Sequence, residues 1–467
     1  MVTNHMADSE KYDVIVIGAG PGGYVAAIRA SQLGLRAAVI EKEALGGVCL
    51  NWGCIPSKAL LKNAEVLSYI NNSEDFGISI DGVKADFSKA MARSRAVADK
   101  NNSGVAYLLR KNNVDHIEGS AVIKSPTVIQ VDGNSEYHAD NIIVATGSSP
   151  RTIPGIEIDH ENIVTSRDAI VAEKLPKNIL IVGGGPIGVE FAYIYKAYGV
   201  DVTIVELFEN IVPNEDEEVS KQLARSLSKI GIKIKTGCKV SSVKNNKASV
   251  RVSFEQNEVI EDSTFDKVLV AVGVVPNTQA IGLEENGIDM ENGYIAVDDT
   301  MKTSIANIYA IGDITGKLPL AHVASAQANI AVESICGMDT VALDYSMIPR
   351  AIYCNPQVAS LGLTEIQALE QGYDIKVGKF NAQANGKAGA MGESDGFVKL
   401  VFDAKYGEIL GAHMIGPEVT ELLGELSLTK LCEGTSMELG LAVHAHPTLS
   451  EMIKEAALDA QGKVLHM

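Results

Sequence analysis

Cys49 and Cys54 are the residues whose types and spacing are most able to do chemistry, set in the run Gly46-Gly-Val-Cys49-Leu-Asn-Trp-Gly-Cys54-Ile-Pro-Ser-Lys58. Four residues part them where a zinc knuckle has two, and no second Cys or His cluster lies nearby, so the run does not read as a metal site. The other cysteines, at 238, 336, 354 and 432, are scattered, unlike a secreted disulfide framework. A Cys49–Cys54 bridge therefore reads as a redox disulfide. A regular helix holds residues five apart at about 8.5 Å between Cα atoms, beyond the ~7 Å a disulfide tolerates. The pair can bridge only if the helix start is distorted, and Gly53 and Pro56 are where such distortion would be tolerated. Lys58 falls one turn after Cys54, where its ammonium would favour a neighbouring thiolate. The blander reading, two buried thiols near a surface lysine, leaves the clustered glycines unexplained.

Near the far end, His444-Ala-His446-Pro-Thr-Leu-Ser-Glu451 puts a carboxylate five residues after His446. A carboxylate-oriented imidazole is a base that can activate a thiol. A His near a Glu is more often structural; this one gains weight from the cysteines' need for a proton acceptor.

Such groups need elements to hold them and a carrier for electrons. Tyr12–Ile17 reads as a buried strand running into Gly18-Ala-Gly20-Pro-Gly-Gly23, an alanine-rich helix to about Leu33, then a strand ending at Glu41. The pattern recurs as Asn178–Val182, Gly183-Gly-Gly185-Pro186-Ile187-Gly188, a helix to about Tyr198, and strand Asp201–Val205 ending at Glu206. The first glycine precedes the carboxylate by 23 residues in both copies. The glycines admit a pyrophosphate to the helix N-terminus, and the carboxylate accepts hydrogen bonds from the adenosine ribose. One such turn is weak; two with matched carboxylates read as two dinucleotide sites. Glu206 repels a 2′-phosphate and residues 207–215 hold no Arg or Lys, which favours NAD over NADP. The first copy runs directly into the cysteine pair, so its nucleotide must carry a redox ring to the sulfurs. FAD does this, with the nicotinamide docking on the opposite face of the flavin.

Both copies have a returning strand with a glycine exit, Ile142–Gly147 and Val268–Gly273, and Tyr309-Ala-Ile-Gly-Asp313 supplies another strand after the second copy. The expected class is α/β, with two Rossmann-like dinucleotide-binding domains, the NAD domain inserted in the FAD domain, and a C-terminal α+β dimerisation domain. The expected boundaries are 1–148 and 273–345 for the FAD domain, 149–272 for the NAD domain, and 346–467 for a tail of strands (Ala359–Gly362, Gly396–Phe402, Glu408–Ile415) followed by helices. A net charge of −19 argues against nucleic acid and suits a basic protein partner. No apolar run reaches membrane-spanning length and the first residues lack a signal-peptide pattern, so a reducing cytoplasm or equivalent matrix is expected. Met1–Glu10 reads as a frayed polar end, with His5-Met6 a cloning scar.

The motifs GxGPGG, GGVCLNWGCIPSK, ATGS, GGGPIGVE, AVGVVPN, YAIGD and HPTLSE follow in order between residues 13 and 451. Together they resemble the dihydrolipoamide dehydrogenases among the pyridine nucleotide disulfide oxidoreductases, over essentially the whole chain. The resemblance implies oxidation of protein-bound dihydrolipoamide with reduction of NAD⁺. It implies that Cys49 is the interchange thiol, Cys54 the charge-transfer thiol, Lys58 and Glu190 an ion pair beside the flavin, and His446 and Glu451 the acid–base dyad. It implies flavin contacts from Gly119, Ala121, Thr146, Gly147, Ser148, Asp313 and the segment Leu320-Ala321-His322, and nicotinamide-dinucleotide contacts from Pro186, Ile187, Val240 and Gly273. The dyad of this family serves the disulfide of the other subunit, which implies a homodimer. Implied partners are lipoyl domains and the peripheral binding segment of a 2-oxoacid dehydrogenase acyltransferase, or the glycine-cleavage lipoyl carrier; no lipoyl domain precedes Tyr12. One departure stands out: Gln327 occupies a position where glutamate is expected, which puts the local hydrogen bonding in question.

Glutathione and trypanothione reductases fit less well, given Glu206 without following arginines and Ile187 after the glycines. Mercuric reductase fits less well because Gly462–Met467 lacks a cysteine pair. The alternatives kept are an NADH-dependent reductase of another disulfide or metal ion and, in another class, a flavin-stabilised structural subunit.

Overall fold

The computed structural model describes residues 11–466. The frayed end and cloning scar expected within Met1–Glu10 lie outside the described residues, as does Met467.

The described chain folds as two compact units. The first holds the residues up to Ala59, Met91–Arg151 and Val274–Tyr345. Its elements begin with β1 (Lys11–Ile17), α1 (Pro21–Gln32), β2 (Ala37–Glu41), α2 (Gly47–Asn51) and the start of α3 (Cys54–Asn71). After α4 (Phe87–Lys111) come β3 (Asp115–Glu118), β4 (Ala121–Ser125), β5 (Val128–Val131) and β6 (Ser135–Val144). Strands β3, β2, β1 and β6 lie parallel in that order, and Ile308–Ala310 adds a parallel strand beside β6. Side chains alternate across a strand, so a strand covered on both faces must be apolar throughout. Accordingly, Val14 and Val16 join a core with Ala26, Ala27 and Ala30 of α1, while Ile15 and Ile17 join a second core with Ile142 and Ile308. The chain leaves this unit along Ser148–Pro150 and returns antiparallel to it along Val274–Pro276.

The second unit holds Leu60–Ala90, Thr152–Gly273 and the chain from Ser346 onward. It repeats the parallel order with Lys233–Lys235, Asp201–Val205, Asn178–Val182, Lys267–Val270 and Ile163–Thr165. The outermost strand beside the returning strand follows the insertion in the first unit (Ile308–Ala310) and precedes the glycine turn in the second (Ile163–Thr165). A three-stranded antiparallel sheet, Lys239–Phe265, was not read from the sequence.

The C-terminal sheet has five antiparallel strands in the order Arg350–Ile352, Gln357–Gly362, Ile409–Gly416, Phe397–Asp403, Ile375–Asn381. The first and last of these escaped the sequence reading. On one face Val398, Leu400, Ala412 and Met414 pack with Met452, Ile453 and Ala456 of helix Glu451–Asp459. The other face carries a polar row in register across all five strands: Arg350, Ser360, His413, Lys399, Lys379. Residues at the start of helix Glu217–Lys229 meet this row. Lys399 Nζ lies 3.1 Å from Asp216 Oδ2, 2.8 Å from Glu218 Oε1 and 2.7 Å from Glu365 Oε2. Arg350 Nε lies 3.6 Å from Glu215 Oε1. Burial pushes the Glu215 carboxyl up against the pull of Arg350. His413 is fully buried, its Nε2 donates to the Leu363 carbonyl at 2.9 Å, and burial holds its imidazole down to about 4, so it is neutral.

Candidate active site

The two glycine turns are built alike. Gly18 and Gly183 sit in the left-handed region at φ +102° and +108°. A Cβ on Gly23 would lie 1.8 Å from the Gly18 carbonyl oxygen, and one on Gly188 would lie 2.0 Å from that of Gly183, so only hydrogen fits. Pro21 and Pro186 open the two helices, where a missing N–H costs nothing. Gly20 and Gly185 face open space at those helix N-termini, as a pyrophosphate needs. Each carboxylate is braced the same way. Glu41 accepts the Ala19 N–H at 2.8 Å and the Glu43 N–H at 2.9 Å. Glu206 accepts the Gly184 N–H at 2.7 Å and the Phe208 N–H at 3.0 Å. These cradles fit dinucleotides.

Around the first turn, Asp313 Oδ2 accepts the Ser148 hydroxyl at 2.5 Å, and burial pushes its carboxyl up while Ser148 opposes. Thr146 and Asn277 exchange side-chain bonds to each other's carbonyls at 2.9 and 2.8 Å, and the Gly147 carbonyl accepts the Asn277 N–H at 2.9 Å. Leu320 caps the helix Ala321–Ile335, whose first turn holds Ala321 and His322. Gly119 (φ +138°) donates to the Glu41 carbonyl, and Ala121 is buried at the start of β4. In the second unit, Val240 lies on strand Lys239–Asn245 against an apolar core, and Gly273 (φ +95°) ends the segment Thr152–Gly273 of that unit.

The helix carrying the cysteines is broken rather than bent. α2 ends at Asn51, Trp52 turns out of helical geometry at φ −137°, and α3 starts afresh at Cys54. Gly53 lies in this gap as expected. Pro56 does not mark distortion: it sits in the first turn of a continuous helix, where proline is tolerated. The break brings the two sulfurs together. The Cys54 thiol hydrogen-bonds with Cys49, and the Cys54 N–H at the start of α3 also donates to the Cys49 sulfur. The contact with the Cys54 thiol, then burial, push the Cys49 thiol up; Lys58 and the Cys54 N–H pull the other way.

His446 Nδ1 lies 3.0 Å from Glu451 Oε1, and Glu451 Oε2 accepts the Thr448 N–H at 2.9 Å. Burial pushes the Glu451 carboxyl up, but Thr448 and His446 outweigh it and hold the group below the usual carboxylate range. The His446 side chain is 77% exposed, so the base is presented to an incoming group. Glu190 is buried and accepts the Tyr353 N–H at 2.9 Å. Cys49, Cys54 and Lys58 thus belong to the first unit, and Glu190, His446 and Glu451 to the second.

Residues the sequence reading missed secure the broken segment. Asn51 is buried, and its amide donates to the carbonyls of Leu45 at 2.8 Å and Gly47 at 2.9 Å while accepting from Asn102 at 3.1 Å. From α4, Arg93 donates to the Ala59 carbonyl, Ser94 to that of Pro56 and Arg95 to that of Asn51. Buried residues at Phe87, Ala90, Met91, Ser94, Ala98, Val105 and Leu109 follow helical spacing, which was the available signal for α4.

Residues 12–328 match the pyridine nucleotide-disulphide oxidoreductase family, and residues 348–457 match its dimerisation domain. The chain belongs to that family. Among pyridine nucleotide-disulphide oxidoreductases, it is 46% identical to the dihydrolipoyl dehydrogenase of Rhizobium etli over 98% of this chain and 100% of that protein. The dihydrolipoyl dehydrogenase of Mycobacterium leprae is 48% identical over 95% of this chain and 97% of that one. Among solved structures, LpdA from Mycobacterium tuberculosis matches with a TM-score of 0.89 and 28% identity, over 95% of this chain and 98% of its own. The HOCl-induced flavoprotein disulfide reductase RclA from Escherichia coli matches at 0.86 and 27%, over 96% and 99%.

Proposed function

We propose that this pyridine nucleotide-disulphide oxidoreductase is a dihydrolipoyl dehydrogenase, oxidising dihydrolipoamide to lipoamide and reducing NAD⁺. The observation that carries the reading is the contact of the Cys49 and Cys54 sulfurs across the break between α2 and α3. Its relatives named for the same activity supply the substrate.

FAD is assigned to the turn Gly18-Gly20-Gly23, with Glu41, Gly119, Ala121, Thr146, Gly147, Ser148, Asp313 and the Leu320–His322 segment around it. NAD is assigned to Gly183, Gly185 and Gly188 with Glu206, flanked by Pro186, Ile187, Val240 and Gly273. The assigned FAD domain is 1–148 with 273–345, the NAD domain 149–272, and the dimerisation domain 346–467. When bound, FAD supplies acceptance of the dithiol's electron pair and its delivery as hydride to NAD⁺.

The protein's own part is thiol–disulfide exchange. His446, oriented by Glu451, takes the proton from one substrate thiol. The resulting thiolate attacks the Cys49 sulfur, and the Cys49–Cys54 bond breaks with Cys54 leaving as thiolate. The second substrate thiol then displaces Cys49, its proton passing to the departing Cys49 sulfur, which forms the substrate disulfide and leaves the protein pair reduced by two electrons as Cys49 thiol and Cys54 thiolate. Lys58 offsets negative charge at the sulfurs, and Glu190 is its assigned partner. In this reading His446 serves the cysteine pair of the second copy of the chain.

Lipoyl domains of a 2-oxoacid dehydrogenase acyltransferase, its peripheral binding segment, or the glycine-cleavage carrier would present the substrate, and a reducing cytoplasm suits the pair. Among the described residues no helix is long and apolar enough to cross a membrane. The likeness to RclA, named as a disulfide reductase, keeps one second reading, reduction of another disulfide, and the sequence motifs leave a metal ion as a further acceptor. Steady-state rates with dihydrolipoamide and NAD⁺, and with glutathione disulfide or Hg²⁺ and NADH, decide between them. NAD⁺ reduction by free dihydrolipoamide is the expected dominant activity; faster turnover of either alternative substrate contradicts the proposal.

A further inference from the structure

A broken helix leaves carbonyls without their usual partners, and the four-residue connector between the two cysteines, whose last two residues lie outside either helix, is such a place. Around Asn51, Trp52 and Gly53, the Val48 carbonyl accepts the Trp52 N–H at 2.8 Å and the Gly53 carbonyl accepts the Ser57 N–H at 3.1 Å. The carbonyl of Asn51, the last residue of the helix carrying Cys49, instead accepts Arg95 Nη1 from α4. The Asn51 side chain is tied on its other side to Leu45, Gly47 and Asn102. One residue is thus gripped at its main chain by a guanidinium and at its buried side chain by backbone and amide. Three residues further on, the Cys54 N–H reaches the Cys49 sulfur.

We infer that Arg95 is a positioning residue for the redox pair, holding the connector so that Cys49 and Cys54 stay at bonding distance and the disulfide is favoured over the dithiol. This rests on the reading of the pair as redox-active. Disulfide geometry tolerates only a narrow range of Cα separation, so the effective concentration of one thiol at the other depends on how firmly the connector is fixed. A charge-assisted bond from a rigid guanidinium fixes it more firmly than a neutral donor. Releasing it lowers that effective concentration and moves the exchange, protein disulfide plus dihydrolipoamide giving protein dithiol plus lipoamide, toward the dithiol.

The test uses the FAD-loaded dimer equilibrated anaerobically with fixed ratios of lipoamide to dihydrolipoamide, quenched with acid and alkylated, and read by mass spectrometry at Cys49 and Cys54. Arg95→Met keeps the apolar stem and removes every donor; it is expected to raise the dithiol-to-disulfide ratio about tenfold at a given couple ratio, equivalent to about 30 mV. Arg95→Lys restores one donor and is expected to return the ratio part or all of the way. Where Arg95→Met does not fold with its flavin, Arg95→Gln replaces it with the same shift required. A lowered melting temperature with an unchanged ratio makes Arg95 merely structural and overturns the inference. If the wild-type cysteines show the same alkylation at every couple ratio, the redox reading itself fails, an outcome distinct from an unshifted variant.

Discussion

Glu451 divides its two oxygens between His446 Nδ1, at 3.0 Å, and the Thr448 N–H, at 2.9 Å. The second bond fixes the carboxylate, and the fixed carboxylate then sets the plane of an otherwise exposed imidazole. Glu451→Gln retains an acceptor for Thr448 but loses the negative charge that stabilises the protonated base. The expected outcome is a fall in kcat for dihydrolipoamide oxidation of about 100-fold, with flavin content and melting temperature near wild type. A kcat within twofold of wild type would remove the dyad from the mechanism.

At the second turn, two backbone bonds, from Gly184 and Phe208, fix the carboxylate of Glu206 against the glycine run. Glu206→Ala removes both the ribose acceptor and the charge that repels a 2′-phosphate. The ratio of kcat/KM for NAD⁺ over NADP⁺ is expected to drop at least roughly tenfold, with most of the change in KM. An unchanged ratio would assign cofactor choice to other residues.

Lys399 is buried between Asp216, Glu218 and Glu365. Asp216 is as buried as Lys399, while Glu218 and Glu365 are 44% and 39% exposed, so removing the ammonium strands one carboxylate and Lys399→Met is expected to cost about 3 kcal/mol in urea unfolding. The Lys399 ammonium is held above the ordinary 10.5, so its contribution is complete below that value and is lost as pH rises beyond it. The Glu218 carboxyl is held below the ordinary 4.5, so its contribution is present above that value and is lost as pH falls. The stability gap between wild type and variant is therefore expected to be widest between these limits; a gap that does not vary with pH contradicts the assignment.

Burial raises the Asp313 carboxyl above its ordinary 3.8. A group with a raised folded-state value stabilises fully only below its unfolded value, and ionisation at neutral pH therefore costs stability. Flavin-free Asp313→Asn is expected to melt higher than flavin-free wild type at pH 7, with the advantage shrinking toward pH 4, while its affinity for FAD falls. A lower melting temperature at pH 7 would mean that the ionised carboxylate is stabilising in its own right.

The parts of this molecule that sequence reveals are those fixed by local chemistry. Asn178–Val182 and Asp201–Val205 are strands end to end as read, because apolar runs bounded by glycine turns admit little else. A distorted helix start that takes in Gly53 followed from disulfide geometry, but Pro56, where distortion would equally be tolerated, lies in the first turn of a continuous helix, since a proline there and a proline at a kink look alike in sequence. Gln327 looked out of place, yet its Oε1 accepts the Gly312 N–H at 2.6 Å and its Nε2 donates to the Tyr345 hydroxyl at 2.9 Å, so the amide is satisfied on both sides. Arg95 and the polar row from Arg350 to Lys379 were not legible at all. Their partners lie 44 residues away along the chain in one case and on neighbouring strands in the other, a matter of register and packing rather than of any local pattern.

The central claim is that electrons enter through Cys49 and Cys54. Anaerobic titration of the FAD-loaded protein with dihydrolipoamide, followed by flavin absorbance and by alkylation of both cysteines, tests it directly. Wild type is expected to take up one two-electron equivalent with both cysteines becoming alkylatable, and Cys49→Ser is expected to take up none from dihydrolipoamide while retaining bound FAD. Uptake by Cys49→Ser equal to that of wild type would contradict the account.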